Sequence, residues 1–262
     1  LKLSSSSSSS SSSLSAGDYF LCGEVLAKES FSSKWMEALD WYQQAGEKGE
    51  LLGFVRAGLL LASKLNDESP QVQQAQELLL RALEQVGGQE LRGEAEALLG
   101  WIHLKFLAVR DPFRAVQLLR SSSSNGHAGA LFLLACCHLR GAGVPTDEQE
   151  AETLLRSALD SWGVSSRKRS FSHTLWCISD IQFTLGQLYL HGCGDVQQDV
   201  SKGLTLLGAA SEQKHAGATR LLADCFQAGR GCGRDDTKAA SLRARATREE
   251  REKGTSPMSF LQ

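Results

Sequence analysis

A small residue recurs along the chain at Ala38, Ala75, Ala115, Ala151, Gly203 and Ala239, inside segments such as "KWMEALDWYQQA", "DPFRAVQLLR" and "DVSKGLTLLGAA". The intervals are 37, 40, 36, 52 and 36 residues, so a unit of 36–40 residues appears six times, with one insertion of about 16. A fixed period of this length excludes most folds built around a single core. It points to units that bury their apolar faces by stacking on one another.

Inside the units the apolar positions follow helical spacing, as in Ala38, Tyr42 and Ala45, or Ala151, Leu154, Leu155 and Ala158. Each unit therefore predicts two helices. A helix of about 14 residues is only ~20 Å long and marginal by itself, so its stability must come from its neighbours. Alanine or glycine where two helices cross lets the backbones approach while leucines fill the adjoining grooves. The expected fold is an all-α, right-handed α-α solenoid of about six helix pairs over residues 17–249, with an insertion near 161–178. Residues 1–16 contain ten consecutive serines, Ser4 to Ser13, and read as a flexible linker. Residues 250–262 read as a polar tail.

Three units carry the same punctuation: Gly141, Gly143 and Asp147; Gly192, Gly194 and Asp199; Gly229, Gly231 and Asp235. Glycines at this phase suit a bend with positive φ after a helix. Each aspartate stands where a second helix would begin, as an N-cap or first-turn acid, and Asp111-Pro112 fits the same place upstream. A left-handed Gly192 predicts a loss of about 1–2 kcal/mol on Gly192→Val. The last second helix, "KAASLRARATREEREK", lacks good leucines and suits a terminal cap with one solvated face.

The Leu-Gly pair, Tyr-Leu, Gly-x-Gly and Asp-x-x-Lys, best seen in Leu185 to Gly194 and Asp199 to Gly203, resemble the Sel1-like repeat, a relative of the tetratricopeptide repeat. The resemblance is strong from Ala128 to Ala246. It is weaker from Gly17 to Asn125, where Gly-x-Gly is missing. It implies a non-enzymatic scaffold whose curved surface binds protein. The serine tract before degenerate helical repeats, with a Ser-Pro tail, also resembles the carboxy-terminal half of a family of vertebrate mitochondrial stress messengers. That resemblance implies a cytosolic fragment that forms a homo-oligomer and activates the haem-regulated kinase of the integrated stress response. Two alternatives remain: a monomeric adaptor for a peptide or receptor tail, and a metal- or haem-sensing regulator using Cys and His.

Lys and Arg total 28 against 30 acidic residues, so no basic field points to nucleic acid. The longest apolar stretch, Leu51 to Leu65, is interrupted by Arg56 and Lys64, and no membrane span is expected in this fragment. The chain starts at Leu1 without an initiator methionine and reads as a fragment, so that any targeting signal would lie upstream of it. Seven cysteines without a CxxC pair fit neither a disulfide framework nor a zinc ribbon, which favours a reducing compartment.

His191 and Cys193, with Cys225 or Cys232, have the donor atoms for zinc or haem iron, but the cysteine positions are not shared between repeats. Gly229 to Gly233 resembles part of a phosphate loop, yet a helix rather than a strand precedes it. Neither G-x-S-x-G nor H-E-x-x-H occurs. The sequence assigns no catalytic residue, cofactor or metal ligand.

Two places stand out as binding surfaces. In the insertion, Arg167, Lys168 and Arg169 before Ser170 form a basic docking point or phosphorylation site, with Trp162, Phe171 and Trp176 as aromatic anchors. A solvated surface loop is the alternative. Near the amino terminus Phe20, Leu21 and Trp35 form a candidate self-association face, unless the first helix simply covers the second.

Overall fold

The computed structural model describes residues 14–28, 34–64, 71–85, 88–106, 109–165 and 177–253. Within them run α1 (Ala16–Lys28), α2 (Trp35–Glu47), α3 (Leu52–Lys64), α4 (Gln71–Gln85), α5 (Gln89–Lys105) and α6 (Pro112–Ser124). They are followed by α7 (Ala128–Arg140), α8 (Glu148–Ser165), α9 (Ile178–His191), α10 (Val200–Glu212), α11 (Ala216–Ala228) and α12 (Asp236–Lys253). The only extended pairing among the described residues is an isolated bridge between Cys193 and Val196. The helices associate as six consecutive pairs, each stacked on the next, which makes an all-α solenoid. In the first half α3 also meets α5, and α5 meets α7, so the odd-numbered helices form the closer-spaced row.

The small residues that set the sequence period all lie on the even-numbered helices, and all six are buried. Four residues further along each of these helices come Tyr42, Leu79, Leu119, Leu155, Leu207 and Arg243. The partner helices place small residues at one matching phase: Gly23, Gly58, Gly100, Ala135, Gly186 and Ala223. A Cβ on Gly23 would come within 2.7 Å of the Tyr42 ring, one on Gly100 within 2.9 Å of Leu119, and one on Gly186 within 3.0 Å of Leu207. Each of these bulky side chains therefore seats in a notch that only glycine leaves open.

One apolar core runs from α2 to α9, with Trp101, Phe106, Leu61, Leu79 and Leu133 fully enclosed. A smaller second core joins α9 to α12 around Leu190, Leu207, Leu222 and Cys225. Burial of each large aliphatic side chain contributes about 1.5–3 kcal/mol. At the amino-terminal end a polar clasp joins three helices: the Tyr42 hydroxyl donates to Glu24 Oε1 at 2.9 Å, and Arg56 Nε lies 3.0 Å from the same oxygen. Burial, and then the neighbouring Glu24 carboxylate, raise the Tyr42 hydroxyl well above its ordinary range. Among the described residues no helix is long and apolar enough to cross a membrane.

Candidate functional site

The repeated glycines shape the turns inside three helix pairs. Gly141 (φ 68°, ψ 30°) and Gly229 (φ 66°, ψ 29°) are left-handed C-caps. Behind them Ala142 N–H donates to Cys137 O at 3.0 Å and Arg230 N–H to Cys225 O at 2.9 Å, closing the helix ends. The second glycine of each turn is pressed against the start of the even-numbered helix one repeat earlier. A Cβ on Gly143 would stand 2.3 Å from Pro112 O, one on Gly194 2.6 Å from Glu148 Oε2, and one on Gly231 2.2 Å from Val200 Cγ1. Gly143 and Gly231 thus set the distance between repeats, while at Gly194 the contact is with the movable end of the Glu148 side chain.

Gly192 departs from the left-handed conformation expected for it. Its φ is 63° but its ψ is 145°, in the extended part of positive-φ space. The physical reason is loop length: six residues lie between Gly192 and Asp199, against five between Gly141 and Asp147 and between Gly229 and Asp235. The extra residue is absorbed by a tight turn in which Val196 N–H donates to Cys193 O at 2.9 Å.

The aspartates that follow cap the next helices. Asp111, Asp147, Asp199 and Asp235 accept from the backbone N–H of Arg114 (3.0 Å), Glu150 (2.8 Å), Lys202 (2.9 Å) and Lys238 (2.9 Å). Their own N–H groups donate to the carbonyls of His103, His138, Tyr189 and Phe226, tying each loop back to the preceding helix. The backbone bonds from Lys202 and Lys238 are the first cause holding the Asp199 and Asp235 carboxyls below the usual range. The lysine of Asp-x-x-Lys then lies over the aromatic ring of that same preceding helix. Lys202 Nζ is 5.7 Å from the Tyr189 centroid and Lys238 Nζ 4.0 Å from that of Phe226.

Sequence reasoning missed two histidine caps. His127 Nδ1 accepts from Ala130 N–H at 3.2 Å, and His215 Nδ1 from Ala218 N–H at 3.0 Å. A neutral imidazole nitrogen here does the work of a capping carboxylate or hydroxyl oxygen. Before each histidine the chain turns with positive φ, at Gly126 (73°) and Lys214 (61°). His215 Nε2 lies 3.3 Å from Asp180 Oδ1 and its ring stacks 4.5 Å from Phe183, which joins α11 to α9. The signal was present as a repeated His-Ala-Gly-Ala at 127–130 and 215–218.

Among the described residues no three His, Cys, Asp or Glu side chains gather where a metal ion could be held. His191 and Cys193 are exposed, and the Cys193 thiol points to Glu148 Oε1 at 3.7 Å. Cys136 and Cys137 are buried, and desolvation raises both thiols, that of Cys137 to about 12, so neither is a ready nucleophile.

In the insertion, Arg167, Lys168, Arg169, Phe171 and Trp176 lie outside the described residues. Trp162 does not belong to a loop: α8 continues to Ser165, and Trp162, one turn beyond Ala158, is 8 % exposed and packed in the main core. The i, i+4 stripe of α8 simply runs one turn further than expected, so Trp162 is not free to anchor a partner. At the amino terminus Phe20 turns inward onto the Tyr42 ring, 5.7 Å between centroids, and Trp35 is half-buried against the core. Leu21 faces solvent at 61 % exposure, one turn before Val25, also 61 %, with Met36 of α2 half-exposed.

Stacked helix pairs, whose repeated glycines and aspartates close turns and cap helices, define a helical-repeat scaffold, a class that offers extended surfaces to protein partners. The chain belongs to the Sel1 repeat family: Sel1 repeats match residues 36–50, 93–127, 128–161, 180–215 and 216–246, more than half of the chain. The matches at 93–127 and 36–50 extend the family into the half that lacks Gly-x-Gly. Among solved structures the chain is similar to a Sel1 repeat protein from Oxalobacter formigenes, at 18 % identity and a TM-score of 0.67, covering 89 % of this chain and 87 % of that one. It is also similar to the immunity protein Pa5087 from Pseudomonas aeruginosa, at 15 % identity and a TM-score of 0.53, covering 94 % and 84 %. These likenesses concern the fold. No curated protein matches the chain in sequence.

Proposed function

We propose that this Sel1 repeat array is a self-assembling adaptor rather than a catalyst. The observation that carries the reading is the apolar stripe on α1, where Leu21 and Val25 stand exposed one turn apart and Met36 lies exposed on the adjoining helix. Every later odd-numbered helix is packed by a preceding pair, and α1 has none among the described residues. The other end of the array suits this stripe poorly, because the exposed positions of α12 include Arg243, Arg248 and Arg251. A head-to-tail filament is therefore disfavoured, and the natural occupant is α1 of a second copy in a closed two-fold contact.

The client proposed for the assembled array is the haem-regulated kinase, with the array relaying mitochondrial stress from the cytosol. This part of the reading rests on the sequence resemblance to mitochondrial stress messengers. Light scattering at micromolar concentration tests the assembly. The chain should be a dimer or larger, and the Leu21→Glu, Val25→Glu variant a monomer; a monomeric parent chain overturns the assembly. Mixing either protein with purified haem-regulated kinase tests the client. Kinase autophosphorylation should rise with the parent chain and not with the monomeric variant, and no rise with the parent chain overturns the kinase assignment alone.

A further inference from the structure

Cys225 and Cys232 are the two cysteines of the last helix pair, and they belong to one small core with Leu190, Leu207 and Leu222. Cys225 is buried near the end of α11, while Cys232 is half-buried in the turn that follows. That turn folds back on the helix: the Cys232 Sγ lies 3.6 Å from the carbonyl oxygen of Cys225 and 3.7 Å from that of Arg230. Its thiol is thus aimed at the backbone of the residue that carries the second thiol. The other cysteines are placed differently. Cys136 and Cys137 are neighbours in one helix, and Cys22, Cys177 and Cys193 belong to other helix pairs.

The segment between the two thiols carries the contacts that seat the last pair on its predecessor. Arg230 Nη2 donates to Leu190 O at 2.7 Å, and Gly231 is pressed against Val200 and Leu204 of α10. We propose that Cys225 and Cys232 form a redox-responsive pair whose oxidation to an intramolecular disulfide locks this turn, and with it the last repeat, onto the array.

The oxidant is a low-molecular-weight disulfide such as oxidised glutathione. The more accessible Cys232 thiolate attacks one of its sulfurs, forming a mixed disulfide and releasing one glutathione thiolate. The Cys225 thiolate then attacks Sγ of Cys232, the protein disulfide forms, and the second glutathione thiolate leaves. The two protons lost by the protein thiols end on the two released glutathiones, and no other electron acceptor is needed. Burial, followed by the neighbouring Cys232, holds the Cys225 thiol above its ordinary value, so the second step should quicken as pH rises.

Tryptic peptides read the bond directly, because cleavage after Arg220, Arg230 and Arg234 places Cys225 in 221–230 and Cys232 in 231–234. After treatment of the full chain with oxidised glutathione and alkylation of free thiols, the two peptides should travel together, two hydrogens lighter than their sum, and separate on reduction. Recovery of Cys225 alkylated while Cys232 holds glutathione, or of Cys232 joined to Cys193, overturns the pairing. Hydrogen exchange tests the lock. Amides of α11 and α12 should exchange on the order of tenfold more slowly in the oxidised chain, with no such change in Cys232→Ser treated alike. A formed bond without slower exchange overturns the lock.

Discussion

A Cβ placed on Gly58 of α3 would stand 2.8 Å from Cγ of Leu79 on α4, so the two helices meet through a residue that has no side chain. Glycine normally costs a helix about 0.5–1 kcal/mol relative to alanine, and Gly58→Ala would recover that amount. The added methyl would displace a buried leucine whose own helix is fixed on both sides, an overpacking cost of about 1–3 kcal/mol. Gly58→Ala should therefore destabilise by about 1 kcal/mol net. Gly208 of α10 is the control, since a Cβ there meets nothing within 4 Å. Gly208→Ala should stabilise by about 0.5–1 kcal/mol in urea unfolding, and a like sign for both variants would contradict the notch.

The two kinds of positive-φ glycine should respond differently to asparagine. Gly141 has left-handed helical angles that asparagine tolerates, whereas Gly192, with ψ 145°, occupies a region open essentially to glycine alone. Gly141→Asn should cost less than about 1 kcal/mol and Gly192→Asn about 2–3 kcal/mol. Calorimetric melting of the two variants separates the cases, and equal losses would mean that the longer loop relaxes at no cost.

Acid should weaken the caps of α10 and α12. The carboxyls of Asp199 and Asp235 are held below the ordinary value in the folded chain, so their contribution is complete above that value. It is lost as pH falls below about 4 toward the folded-state value. Asp199→Asn with Asp235→Asn keeps a capping oxygen but removes the titration. The double variant should show a flatter dependence of unfolding midpoint on pH between about 5 and 2 than the parent chain.

The period of the fold was legible because stacking imposes it on residue size. Ala38, Ala75, Ala115, Ala151, Gly203 and Ala239 all face a neighbouring helix, and a larger residue at any of them would push the pair apart. Turn length was harder to read, since the one additional residue between Gly192 and Asp199 changes ψ without changing which residue types the turn uses. The histidine caps at His127 and His215 stayed hidden because an imidazole nitrogen at a helix start looks like any surface histidine until the N–H it accepts is placed. Trp162 misled for a related reason: an aromatic beside Gly163 and a polar stretch has the composition of a loop, while its side chain still falls on the buried stripe of α8.

The charge-rich α12 docks by a route that its composition conceals. Where the four preceding pairs use leucine, it has Arg243, paired to Asp224 on the surface, and its apolar contacts come from buried Ala239 and Ala246 and half-buried Leu242. The rest of the contact is polar: Arg245 Nε lies 3.1 Å from Glu249 Oε1, and Thr219 donates to Glu249 Oε2 at 2.9 Å. Arg245 Nη2 also donates to Ser211 O at 2.9 Å and to the Ser211 hydroxyl. Glu249 is only 5 % exposed, so Arg245→Ala would leave its carboxylate enclosed with a single hydroxyl. Removing one member of a fully buried pair costs about 3–5 kcal/mol; with the Arg245 side chain about a third exposed the loss should be smaller, about 1–3 kcal/mol, and in a stacked array it falls on the terminal unit. Hydrogen exchange of Arg245→Ala should show α12 opening while α3 keeps its protection. Replacing both charges, Arg245→Leu with Glu249→Leu, should restore most of the loss, because no buried charge is then left without a partner.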